Sequence, residues 1–215
     1  GDTLLIEAYN HFLEGNYANL SALLTVFNQT AIEVCEGQQL DMNFESRDDV
    51  TIDEYINMIK LKTSVLVGGA LKLGALVGSA SDTEADLIYN FGVNLGIAFQ
   101  LQDDYLDCFG DPEKFGKQVG GDIISNKKTF LMLKALELDS SELLQGWVDK
   151  KDFDAIAKVE AVKTIYKDLK VDQLAFNQMD AYYQKSIQFL NRINAPEDKK
   201  KVLEEFANHL MKRAS

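Results

Sequence analysis

The sequence predicts a single all-α domain, and three observations carry that prediction. Its 215 residues include only 2 Pro and 14 Gly, too few turn formers for a sandwich or barrel of many short strands. Apolar residues recur at helical spacing over long stretches. With 46% hydrophobic and 26% charged residues, the chain has the balance of one globular domain large enough to bury a sizeable core, which excludes a disordered chain.

Taken in order, the pattern Leu4, Leu5, Ala8, Tyr9, Phe12, Leu13 makes the opening helix, ended by the turn Glu14-Gly15-Asn16. The second helix runs to near Asn43 on the apolar stripe Leu20, Leu23, Leu24, Phe27, Ala31, Val34. Thr51-Ile52-Asp53-Glu54 has the form of a capping box, and predicts one helix through Tyr55, Ile59 and Leu66 to Val77. Ser81-Asp82-Thr83-Glu84 is a second such start, for a helix reaching Cys108 and stopped by Phe109-Gly110-Asp111-Pro112. A lysine-bearing loop from Lys114 to Lys128 follows, then a helix from Thr129 to Leu138 and shorter helices, the last opened by Ala195-Pro196-Glu197.

The balance of 22 basic against 34 acidic residues gives a net charge of −12, which argues against a nucleic-acid backbone or an anionic membrane surface as the main partner. A polyanionic substrate would need metal cations to bridge it. Cys35 and Cys108 lie in unlike contexts without CxxC spacing, so no disulfide framework is indicated and a cytoplasmic location is expected. The least polar stretch, Ser64 to Ala80, is broken by Lys72 and four glycines, so no stable membrane insertion is expected.

Certain polar residues fall where apolar ones belong. On the helix from Asp82, Gly92, Gly96, Gln100, Asp103 and Asp107 share an arc of roughly 80° at 3.6 residues per turn, with Asp104 at its edge. Ile88, Phe91, Leu95, Phe99 and Leu106 form the adjoining apolar stripe, so the polar arc has the look of a polar-ended cavity wall. Like charges so close repel, and oxygen ligands without His or Cys suit Mg²⁺ completed by substrate phosphates. A solvated acidic helix end is the alternative. Gln38 and Asp41 continue the buried stripe of the second helix. Lys62, with Thr63 beside it, falls within the stripe of the third, where an unpaired ammonium is costly, so Lys62 should face an anion. Gly68, Gly69, Gly74 and Gly78 mark either close helix packing or room for an apolar ligand. Lys114, Lys117, Lys127 and Lys128 could hold phosphate as point charges.

FQLQDDYLD (Phe99 to Asp107), FGKQVGGD (Phe115 to Asp122) and NKKT (Asn126 to Thr129) resemble the second aspartate-rich region of the trans-isoprenyl diphosphate synthases. GQQLD (Gly37 to Asp41) and KLKTSVL (Lys60 to Leu66) are similar to that family's GQxxD and Lys-Thr elements, in the same order. The likeness is to the farnesyl and geranylgeranyl diphosphate synthase group. It implies an isoprenoid synthase helical bundle with a central cavity, normally a homodimer, whose partners are isopentenyl diphosphate and an allylic diphosphate. By the same resemblance Asp103, Asp104 and Asp107 bind Mg²⁺; Lys62, Lys117 and Lys127 contact the diphosphate; Thr63 and Gln100 face the allylic cation. Gln38 and, in a basic tail, Arg213 are further substrate-binding candidates.

The family's first DDxxD-type motif is not among these residues, and Asp48-Asp49 with Asp53 has the wrong spacing and precedes a capping box. The expectation is one domain over residues 1–215, lacking the N-terminal helices that carry that motif and inactive alone. A non-catalytic partner subunit and another Mg²⁺-dependent terpenoid enzyme are the competing readings.

Overall fold

The computed structural model describes residues 2–111 and 119–212. Among them every regular element is helical: α1 (Asp2–Glu14), α2 (Leu20–Phe44), α3 (Ile52–Ile59), a π-helical turn (Lys60–Ser64), α4 (Val65–Val77), α5 (Asp82–Phe109), α6 (Gly121–Ile124), α7 (Phe130–Leu138), α8 (Leu143–Val148), α9 (Ala155–Asp168), α10 (Val171–Asn191) and α11 (Glu197–Met211). Both expected capping boxes form. Thr51 Oγ1 accepts from the Glu54 N–H while the Glu54 carboxylate accepts from the Thr51 N–H, and Ser81 and Glu84 repeat the arrangement.

α5 is the central helix, packed along α10 and α4, with α2 laid on α4 and on the π turn. It is central because it is apolar on nearly every side from Phe91 to Ala98, a run buried without interruption. The larger core joins α3, α5, α7, α9 and α10 through Tyr55, Ile59, Leu101, Phe130, Val162 and Met179.

The structure departs from the periodicity at two elements. The helix expected from Ile52 to Val77 is interrupted where the Val65 N–H donates to the Lys60 carbonyl, five residues back. That extra residue rotates the following face, so Ser64 and Val65 turn inward while Leu66, expected in the apolar stripe, is 57% exposed. On α2 the fully buried positions are Leu23, Thr30, Gly37 and Phe44, every seventh residue, and the expected stripe from Leu20 to Val34 is otherwise half-buried. Seven-residue spacing is the seam of two nearly parallel helices, and here the partners are α4 and the π turn. Gly37 is part of that seam because a Cβ there would lie 2.2 Å from the Lys62 backbone nitrogen.

Four glycines of α4 and α5 close space rather than open it. A Cβ on Gly92 or Gly96 would come within 2.8 Å of the Cα atoms of Gly68 or Ser64, and one on Gly68 or Gly69 would meet Tyr89 or Thr30. Close helix packing therefore accounts for these four, and the expected polar-ended cavity wall does not extend to Gly92 and Gly96, which lie at helix crossings.

Candidate active site

The candidate residues lie along α5 from Gln100 to Asp107. At the N-terminal end of this strip, the Thr63 hydroxyl from the π turn donates to Gln100 Oε1 at 3.3 Å. Beside it Lys62 Nζ is 2.6 Å from Asp41 Oδ2 on α2. Lys62 thus faces an anion as expected, but its side chain is 36% exposed instead of buried. The π turn explains this, because it leaves Leu61, Lys62 and Thr63 half-exposed in succession. Gln38 is exposed too, next to the seam residue Gly37 but outside the seam, which corrects its placement in a buried stripe.

Midway along, Asp104 is 3% exposed and both of its oxygens are engaged. Tyr55 OH donates to Oδ2 at 2.5 Å, and Lys127 Nζ stands 3.5 Å from Oδ1. Burial raises the Asp104 pKa, against the opposing pull of Lys127 and the Tyr55 hydroxyl. Burial also raises Tyr55 far above the ordinary phenol value, with the Asp104 charge adding to it. Asp103 and Asp107 are half-exposed on the neighbouring face.

At the C-terminal end, Asp107 organises the loop that returns to the strip. Its carbonyl accepts from the Gly120 N–H at 2.6 Å, and its Oδ2 accepts from the Asp122 N–H at 2.9 Å. Gly120 has φ 90°, where an L side chain is strained. This turn delivers Lys127, whose ammonium lies between Asp104 and, at 3.2 Å, Asp122. Burial opposes its charge, but the two carboxylates prevail and raise the Lys127 pKa. Asp122 is pushed up to about 6 by burial, with Lys127 lowering it and Asp104 and Asp107 raising it.

Lys62, Thr63, Gln100, Asp103, Asp104, Asp107 and Lys127 are thus brought together by three segments, while Lys117 and Arg213 lie outside the described residues. Tyr55 and Asp122 are additions. Tyr55 had the look of an apolar-stripe residue, and the signal that could have found it is that a buried phenol needs a polar partner. A cavity of about 710 Å³ adjoins the strip, lined by Asp41, Phe44, Met58, Asn126, Lys127 and Lys128. Lys128 Nζ pairs there with Asp48 at 3.6 Å. Among the described residues no three carboxylate, imidazole or thiolate groups converge into a complete metal shell. The donor chemistry nonetheless fits a hard cation finished by a ligand's own oxygens, because Asp103 and Asp107 are half-exposed carboxylates. The nearby soft donor is withdrawn: Cys108 is buried, and burial pushes its thiol up to about 12.

The family model described as polyprenyl synthetase matches residues 1–169, from α1 through the carboxylate strip to the end of α9. The chain belongs to this family. A short chain isoprenyl diphosphate synthase from Methanothermobacter thermautotrophicus is 41% identical over 143 residues, covering 66% of this chain and 44% of that relative. A geranylgeranyl diphosphate synthase from Sulfolobus acidocaldarius is 36% identical over 178 residues, covering 80% of this chain and 53% of that one. A crystal structure of a geranylgeranyl pyrophosphate synthase superposes with a TM-score of 0.93 at 45% identity, covering 100% of this chain and 67% of that one. The all-α isoprenoid synthase fold is thereby established. The chain spans about half the length of the curated relatives it matches, and none of its described helices is long and apolar enough to cross a membrane.

Proposed function

We propose that the protein is a prenyltransferase that condenses isopentenyl diphosphate with an allylic diphosphate. The observation that carries the reading is the strip itself, where half-exposed carboxylates at Asp103 and Asp107 stand beside an ammonium, Lys127, held in place by Asp104 and Asp122. Such a pairing of cation-binding oxygens with a fixed ammonium suits a ligand that is itself a polyanion. The named relatives, synthases of geranylgeranyl and short-chain isoprenyl diphosphates, support the same substrate class.

In this reading the allylic C–O bond breaks and the diphosphate leaves with the bonding pair. The isopentenyl double bond attacks the resulting cation to form the new C–C bond, and transfer of a proton from the adjacent carbon to the released diphosphate restores a double bond. Lys127, with Lys62 and Lys117, binds the diphosphate and stabilises its departing charge. Lys62 is already neutralised in part by Asp41, which fixes its direction. Thr63 and Gln100 carry oxygens and no formal charge; the Thr63 hydroxyl, by donating to Gln100, orients the amide toward the cation's side of the strip. Asp103 and Asp107 would hold Mg²⁺, with Asp104 behind them, and the chemistry it would supply there is neutralisation of the diphosphate charge. Gln38 and Arg213 complete the substrate contacts, and the active form is a homodimer.

In a protein extended to the length of the relatives, incubation with isopentenyl and dimethylallyl diphosphates and Mg²⁺ should release diphosphate and a longer prenyl diphosphate, whereas the 215-residue chain alone should not. Asp103→Ala should lower turnover by about 10²-fold or more, as loss of one electrostatic contact in such sites does, with the melting temperature nearly unchanged or raised by relief of repulsion. Full activity in Asp103→Ala of that longer protein, or no diphosphate release by it when folded, would overturn the reading.

A further inference from the structure

Lys158 is a lysine where a packed helix ordinarily carries an apolar residue. On α9 it continues the buried seam of Val162 and Tyr166, and it is 0% exposed. Its Nζ lies 2.6 Å from Asn126 Oδ1 and 3.4 Å from the Ile124 carbonyl, with the Phe153 ring 4.3 Å away. Burial lowers its pKa, and among the described residues no carboxylate contributes to offset that. An ammonium in such surroundings costs several kcal/mol against an apolar side chain of equal volume. Packing alone does not explain a lysine here.

Its partner does. Asn126 has a left-handed backbone, φ 54°, and its amide is tied at both ends: Oδ1 accepts from Lys158, and Nδ2 donates to the Val148 carbonyl at 3.0 Å. The next residue is Lys127, whose N–H donates to the Asp122 carbonyl at 2.9 Å and whose ammonium lies between Asp104 and Asp122. The turn carrying Lys127 is therefore held from behind by a buried cation on a separate helix.

We propose that Lys158 is a positioning residue for the diphosphate site, fixing the turn at 120–128 through Asn126 so that Lys127 keeps its place beside Asp104 and Asp122. Lys158 itself touches no substrate. Its effect on binding rests on the reading of Lys127 as a diphosphate ligand, whereas its hold on the turn does not.

Lys158→Met keeps the volume and removes the donors, and replacement of a buried charge by a matching apolar group is commonly tolerated. The probe is inorganic diphosphate with Mg²⁺, titrated calorimetrically into the 215-residue chain. Lys158→Met should weaken binding by about 10-fold, the scale of one lost hydrogen bond to a charged group, and Lys158→Arg should restore most of it. Lys127→Ala should weaken binding as well, and the double variant should be no weaker than Lys127→Ala alone, because one residue acts through the other. Additive losses, or unchanged binding in Lys158→Met beside weakened binding in Lys127→Ala, would overturn the proposal. Amide exchange of Asn126 and Lys127 is read in parallel and should quicken in Lys158→Met while α9 keeps its protection. If Lys127→Ala leaves binding unaltered, the diphosphate reading of the site fails and the exchange data alone decide: unchanged exchange overturns the positioning role. Should Lys158→Met not fold, Asn126→Gly, which tolerates the left-handed backbone and lacks the amide, is held to the same outcomes.

Discussion

With its carboxyl pushed up to about 6, Asp122 remains protonated in the native protein at pH values where the unfolded chain, near its usual 3.8, has already lost the proton. Between these values the native state binds more protons, so this group's contribution to stability falls as pH rises through that window and is level on either side. Asp104, raised by burial, acts in the same direction. In metal-free protein, urea midpoints measured from pH 4 to 7 should therefore decline less steeply in Asp122→Asn than in the parent, and parallel slopes would show that Asp122 titrates normally. Lys127→Met should move the Asp122 midpoint higher, because Lys127 lowers it, and carboxyl carbon chemical shifts would measure this directly. Gln100 and Asp103 were legible as sequence because helical spacing alone sets polar groups among apolar ones, whereas the same spacing put Lys62 in a stripe that the π turn removes it from. Asp122 and Lys158 were not, since what defines each is a contact across the fold, Asp122 with Asp107 and Lys158 with Asn126. A lysine on a helix reads as solvated unless its four-residue spacing from Val162 and then Tyr166 is noticed.

At the scale of the element, the π turn decides how the site is presented. A regular α-helix through Lys60–Ser64 would carry Lys62 into the core stripe; the extra residue instead holds Leu61, Lys62 and Thr63 at the rim, within reach of Asp41 and Gln100. The boundaries of α2, α5, α7 and α11, with both capping boxes, follow from local rules of periodicity and capping, and they fell where those rules put them. The π turn obeys no such rule, because what compensates its poorer hydrogen bonding is tertiary: the crossing of α2 at Gly37 and of α5 at Gly96 against Ser64. Gly37→Ala tests this dependence. Its Cβ would meet backbone rather than a movable side chain, 2.2 Å from the Lys62 nitrogen, so α2 must shift. A stability loss of about 2 kcal/mol or more is expected, at the upper end for overpacking, with loosening of the Asp41–Lys62 pair. Thermal denaturation measures the first, and a melting temperature equal to the parent's would mean that the crossing is not tight.

For the whole molecule, the outward face of α4 is one of the exposed apolar surfaces among the described residues. Leu66, Ala70, Gly74 and Val77 are all exposed and fall within roughly 80° at helical spacing, so a central helix of this bundle shows water a stripe without a polar side chain. An apolar stripe along a helix ordinarily has protein against it. Nothing lies within 4 Å of the Cβ position at Gly74, so a second backbone has room to approach there. A homodimer docked along α4 would cover the stripe and leave the carboxylate strip of α5, with its lysines, open to the diphosphates of the proposed reaction, anions that a chain of net charge −12 otherwise repels. Gly74→Glu separates docking from folding. The open position accepts the side chain without a clash, and leaving glycine favours the helix by up to about 1 kcal/mol, so the monomer should be at least as stable. A charge at the centre of an apolar interface, by contrast, would be stranded without a partner and should shift the equilibrium to monomer. Sedimentation equilibrium at micromolar concentration should give twice the chain mass for the parent and the single mass for Gly74→Glu at unchanged helicity. Equal masses for the two would remove α4 as the interface.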